Sequence, residues 1–205
     1  MSDWFAGTIY IGGELPAKDL PDFIATIVGE IPGIDQKEIN DETTPEKFLE
    51  YLNENINEDD GSNIVEADGS LRFYVAEARC GMFEDVEAFC VSNGQTYVRL
   101  SDSSGECIAE VEYWMPGMEN VKVVAADNEQ NPIIDTPVIK YMIDAVQAFN
   151  PEDAPLTLNK DSNTHEGFLG NWALKNEWNP FEALKALIEN HAPTPPDEVG
   201  EFKIV

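Results

Sequence analysis

The spacing of apolar residues switches between two periods along the chain. Residues 7–13 (GTIYIGG) form a short apolar run that predicts a strand. In LPDFIATIVGEI, Leu20, Phe23, Ile24, Ile27 and Ile31 recur at helical spacing, and Pro32-Gly33 ends that helix. A second helix is predicted over 45–56, with Thr44 as N-cap, Pro45 at the first helical position, and Phe48, Leu49, Leu52 and Ile56 as its buried stripe. NEDDGSN follows as a loop. LRFYVAE predicts a strand, and MFEDVEAFCVSNG a short helix with Phe83, Val86, Phe89 and Cys90 inward and Asn93-Gly94 as its stop. QTYVRLS and ECIAEVEYWM, on either side of Asp102-Ser103-Ser104-Gly105, predict a hairpin. VKVVAA adds a strand, DNEQNP a turn, and Thr136-Pro137 starts a helix with Val138, Ile139, Met142, Ile143 and Val146 on one side.

NPEDAP at 150–155 has the composition of a linker. The stretch 156–178 has weak periodicity and is expected to be mostly loop. Asn179-Pro180 then opens a last helix carrying Phe181, Leu184, Leu187 and Ile188, with Glu182 placed for a capping box. The tail APTPPDEVGEFKIV is extended, fit to add an edge strand or to lie over a partner. The expected fold class is α+β, a mainly antiparallel sheet covered by helices in an acidic domain over 1–149. A loop-rich segment over 150–205, ending in a helix, follows it.

Charge changes this picture. The chain has 40 Asp plus Glu against 12 Lys plus Arg, a net −28 over 205 residues. With 42% apolar residues it can still bury a core, unlike a disordered acidic tail. A compact chain of this length has a diameter on the order of 43 Å. A similar length of duplex DNA carries about 25 phosphates. The protein therefore holds about as much negative charge as the DNA that would take its place. Direct binding to nucleic acid is disfavoured on that ground, and a basic partner is favoured. Residues 1–70 hold 17 acidic and 3 basic groups, half of the excess in a third of the chain.

The chemistry-bearing residues are few. Cys80, Cys90 and Cys107 are an odd number without metal-type spacing, which fits reduced thiols and a cytoplasmic chain. No run reaches the ~18 apolar residues of a membrane span. His165, in DSNTHEG, reads as a polar-loop histidine, and Asp161, His165 and Glu166 lack a second histidine for a metal site. DNEQNPIID begins like a calcium loop, but Pro132 stands where Gly is needed and Val138 where the twelfth-position Glu belongs. No phosphate-cradling loop or nucleophile elbow is present, and no cofactor is expected.

The arrangement of the acids is more informative. Glu42, Glu46, Glu50, Glu54 and Glu58 recur every fourth residue, the register that places like charges about 6 Å apart on one helix face. Each such pair costs an isolated helix roughly 0.2–0.5 kcal/mol. Asp59 and Asp60 extend the run beyond the helix end, where the macrodipole disfavours acids. Glu84, Asp85 and Glu87 instead sit at a helix start and read as structural. Along ECIAEVEYW, alternation puts Glu106, Ile108, Glu110 and Glu112 on an outer face, about 7 Å apart for each two-residue step, with Arg99 near Glu106 or Glu110 across the hairpin. Alternate phosphates of a DNA strand lie about 7 Å apart along the axis. Both rows approximate a phosphate track.

Two resemblances bear on function. FYVAEARCGMFEDVEAFCVSNGQTYVRLS is similar to a strand–helix–strand segment in uncharacterised phage and plasmid proteins. The whole-chain charge profile resembles that of anti-restriction and anti-CRISPR proteins that mimic DNA, which share charge rather than sequence. That resemblance implies a non-catalytic inhibitor of a DNA-targeting complex in the host cytoplasm. Its partner would be a basic nucleic-acid-binding protein, a CRISPR effector or a restriction nuclease. The partner-binding residues would be Glu42, Glu46, Glu50, Glu54, Glu58, Asp59, Asp60, Glu106, Glu110 and Glu112. Whether the chain pairs with itself is left open. The alternatives are a small enzyme with its site around His165, Trp172 and Trp178, and a haloadapted binding protein.

Overall fold

A computed structural model describes residues 4–103, 108–127, 131, 133–134, 136–151, 165–191, 195–196 and 198–205, with backbone alone at 136 and 165–167. The chain divides into two compact units: Met1–Asn131 with Pro195–Val205, and Pro132–Thr194. The fold is α+β, as the two periods predict.

The first unit is built on a sheet in the order β2-β1-β3-β4-β5, every neighbouring pair antiparallel. Its strands are β1 (Trp4–Leu15), β2 (Leu71–Arg79), β3 (Thr96–Ser101), β4 (Glu110–Trp114) and β5 (Lys122–Ala125). The tail adds β6 (Phe202–Ile204), parallel to the last residues of β1. One face of the sheet is covered by α1 (Leu20–Glu30), α2 (Pro45–Glu54) and α3 (Glu84–Asn93). Period-2 alternation along β1 sends Ile9 and Ile11 into this layer, while Thr8 and Tyr10 take the opposite face.

The helices bury the residues that their spacing marks: Leu20, Phe23, Ile24 and Ile27 from α1, Phe48 and Leu52 from α2, Val86 and Cys90 from α3. Phe23 is the hub. Its ring meets Phe48 edge-on at 6.0 Å, Phe89 at 5.3 Å and Phe202 in a stack at 5.4 Å. Because Phe202 comes from β6, the tail is part of this core, not of a separate segment over 150–205. Its approach requires Gly12, where a Cβ would collide with the carbonyls of Val199 and Gly200. Gly94, at φ 75°, ends α3 as predicted.

The second unit contains α4 (Thr136–Ala148), α5 (His165–Ala173) and α6 (Pro180–His191). The boundary thus falls near 131, not 149, and α4 belongs with the later helices. Met142, Val146, Leu169, Ala183 and Leu187 are the buried centre of this unit. α5 stands where a loop is expected; Gly167 and Gly170 interrupt the apolar spacing that would have marked it. Asn179 caps α6, its side-chain oxygen accepting from the N–H groups of Phe181 and Glu182. Phe181, at the start of that helix, is 73% exposed. Among the described residues no helix is long and apolar enough to cross a membrane.

Candidate partner-binding face

α2 begins where Thr44, in extended conformation, turns its hydroxyl oxygen to accept from the N–H of Lys47, with Pro45 completing the first turn. Phe48, Tyr51 and Leu52 are drawn into the core, and this fixes the rotation of the helix. Glu46, Glu50 and Glu54 then share the solvent face at about 6 Å intervals. All three are exposed, and among the described residues none forms an ion pair. Its own backbone N–H and the Thr44 hydroxyl hold the Glu46 carboxyl below the ordinary glutamate range. At the other end no basic residue offsets the dipole. The side-chain amides of Asn53 and Asn55 donate to the carbonyls of Leu49 and Tyr51 instead. Glu54 therefore stands in the C-terminal turn with no basic residue of that turn beside it.

The row is shorter than the sequence spacing implies. Glu42 precedes the N-cap, in a turn where its N–H donates to the side chain of Asn40. The chain leaves the helix at Asn55, which is extended, so Ile56 becomes 53% exposed and Glu58 loses the helical register. Glu58 lies instead over Gly33. It joins Asp35 and Glu38 around Tyr51, whose phenol is raised by burial above all, with these carboxylates adding to the effect. Both residues remain exposed. The helical row is three residues, with Asp35, Glu38, Glu42 and Glu58 near its flanks or ends.

Asp59 and Asp60 have a different task. β2 is an edge strand, and its outer backbone groups are met by the loop before it. Asp59 accepts from the N–H of Ala76 at 2.9 Å, and the buried Asn57 accepts from Tyr74 and donates to the carbonyl of Arg72. Asp60 pairs with Arg72 at 2.7 Å and accepts from the hydroxyl and N–H of Ser62. Partial burial works against its charge, but these bonds hold its carboxyl below the usual range. The two aspartates seal a sheet edge and do not continue the row.

The expected row on the hairpin is also corrected. β3 and β4 do pair, but Tyr97 faces Trp114, Arg99 faces Glu112 and Ser101 faces Glu110, and Tyr97 and Trp114 lie in the helix-covered core. Glu110 and Glu112 therefore point toward the helical layer, and Val111 and Tyr113 toward the other face. Arg99 is 1% exposed. Its Nη2 lies 2.9 Å from Glu112 and 3.8 Å from Glu110, and its Nε forms an ion pair at 2.9 Å with Glu87 of α3. The Tyr97 hydroxyl donates to the second Glu112 oxygen at 2.7 Å. Glu87 also accepts from the N–H of Phe83. Burial pushes its carboxyl up to about 7, against the pull of Arg99 and with the help of Glu112. Desolvation likewise raises the Tyr97 phenol and the Cys90 thiol. Glu106 and Cys107 lie outside the described residues.

The structure thus keeps Glu46, Glu50 and Glu54 together, leaves Glu42 and Glu58 exposed beyond that row, and engages Asp59, Asp60, Glu110 and Glu112 internally. Around the enzyme alternative, the Trp178 ring packs against Phe149 at 4.7 Å and Trp172 at 5.9 Å, so these aromatics belong to the core of the second unit. The side chains of Asp161, His165 and Glu166 lie outside the described residues. In comparisons with family models, curated proteins and solved structures, the chain matched nothing.

Proposed function

We propose that this chain is an acidic decoy. It presents the outer face of α2 to the Lys/Arg-lined surface of a nucleic-acid-binding protein, of the CRISPR-effector or restriction-nuclease kind, and so excludes DNA without chemistry of its own. The observation that carries the reading is the α2 triplet: three carboxylates pre-positioned in a self-repelling register, each exposed and without an ion pair among the described residues. Ten Asp and Glu against two Lys over residues 31–60 give that face a field which a cationic partner relieves. The repulsion tolerated in the free protein returns as charge-assisted hydrogen bonds when cations arrive. Such an array favours rapid, salt-sensitive association.

Asp59, Asp60, Glu110 and Glu112 are withdrawn from the binding set, and Glu46, Glu50 and Glu54 become its centre. The experiment is a panel of purified CRISPR effectors and restriction nucleases, assayed for DNA binding with and without the chain. A target fitting the proposal loses DNA in proportion to added chain, and excess DNA displaces the chain from it. A target that binds chain and DNA together contradicts the decoy reading.

A further inference from the structure

The sheet face turned away from the helices carries a cleft of about 460 Å³. Its floor is Tyr10, Val98 and Leu100, neighbours across β1 and β3, and its far wall is Pro195, Pro196 and Val199 of the tail. The tail is held over the sheet by the close approach at Gly12 and by the pairing of β6 with β1, so the wall is anchored at one end. The surface is predominantly apolar. Glu66, Asp68 and Glu198 stand among the lining residues; the cation beside them is Arg72, whose guanidinium meets the Tyr10 hydroxyl and Glu66 at the β2 side and leaves Asp68 and Glu198 to a further positive charge. Asp68 is held ionised by the hydroxyl and N–H of Ser70, which keep its carboxyl below the aspartate range, and Glu66 shares Arg72 at 3.8 Å. An apolar channel with anionic groups at its sides selects a chain that is greasy along its length and positive at its tip.

We infer that this cleft takes a lysine side chain from a basic protein segment. The methylene stem would lie over Val98 and Leu100, and the ammonium would reach Asp68 and Glu198. A lysine stem buries along apolar surface while its head stays with charge and water. The inference rests on the reading that the partner is basic, but not on the α2 face, because the cleft lies on the other side of the sheet. It adds an anchoring pocket, with its own side-chain specificity, to a field that attracts any cation.

The test is methyl-detected NMR of the full chain, with Val98 and Leu100 as reporters, at fixed ionic strength. Three acetylated, amidated tripeptides are titrated: Gly-Lys-Gly, the norleucine analogue (stem without charge), and the diaminopropionate analogue (charge without stem). The expected result is that the lysine peptide shifts both reporters and binds at least fivefold more tightly than either analogue. Leu100→Phe, which fills the floor, and the double change Asp68→Asn with Glu198→Gln should each weaken it at least fivefold. The double change alters only exposed or half-exposed carboxylates, so it keeps the test open should Leu100→Phe fail to fold. Changing Glu46, Glu50 and Glu54 to Gln should leave this titration unmoved, which separates failure of the cleft from failure of the decoy reading. Equal binding by either analogue, reporters that stay still, or tighter binding of spermidine than of the lysine peptide would overturn the assignment.

Discussion

Glutamates in this protein occupy two opposite situations. On α2, Glu46, Glu50 and Glu54 face water without an ion pair among the described residues, while at the junction of α3 and the β3–β4 hairpin, Glu87 and Glu112 converge on a buried arginine. The first set costs little to keep and is available to a partner; the second is committed to the fold. The difference lies in what each backbone element faces, not in the residues themselves. A helix rotated by Phe48, Tyr51 and Leu52 sends its acids outward. A hairpin flanked by helices on the Tyr97 side sends them in. Regular acidic spacing is therefore evidence of a surface only after the buried face of the element is known.

The buried side of this contrast should break most severely. Arg99→Met leaves Glu87 and Glu112 desolvated without their cation, and we expect a loss of about 3–5 kcal/mol in chemical denaturation, or outright failure to fold. The same cluster sets a pH dependence. The folded state holds the Glu87 carboxyl at about 7, above its ordinary 4.5, so the native protein binds that proton more tightly than the unfolded chain does. Stability from this group should fall as pH rises from about 4.5 to 7 and level off above it. A change on the order of 2 kcal/mol between pH 5 and 8 is expected. Glu30, raised mainly by burial, acts in the same direction. Denaturation midpoints of wild type and Glu87→Gln across that range check the attribution, since the variant should flatten the slope. A slope unchanged in the variant would assign it to general charge repulsion.

Asp60→Ala sits between the two extremes. It strips Arg72 and Ser62 of their shared acceptor at the β2 edge and should cost about 1–3 kcal/mol by urea denaturation. The exposed row should respond in the opposite sense. Changing Glu50 and Glu54 to Gln removes both like-charge pairs at helical spacing, leaves the first-turn Glu46 and its bonds in place, and should stabilise the fold by a few tenths to about 1 kcal/mol. A substantial loss of stability there would mean that the row is structural after all.

Much of the fold was legible from periodicity. The strands around residues 7–13 and 71–77, the three helices of the first unit, the Gly94 stop and the hairpin all stand where the spacing places them. What failed has physical causes. The hairpin face was misread because both of its faces are apolar: Val98, Val111 and Tyr113 alternate with Tyr97 and Trp114, so period 2 alone did not identify the helical side. Arg99 offered a signal, since an arginine in an apolar strand needs buried carboxylates opposite it. The fourth-residue spacing continued through Glu58 although Asn55 ends the helix; its short, amide-bearing side chain is one that helices commonly end on. Asp59 and Asp60 could not be recognised as edge caps without knowing that β2 lies at the edge. The tail joined the first unit through Phe202, a contact that adjacency in sequence cannot show.

The decoy reading stands or falls on the outer face of α2. The most direct measurement is the inhibition of DNA binding by one susceptible effector, comparing wild type with the Glu46, Glu50 and Glu54 to Gln variant at several matched salt concentrations. The expected result is at least tenfold weaker inhibition by the variant at low salt, with the difference shrinking as screening increases. Equal inhibition by the two proteins at every salt concentration would contradict it.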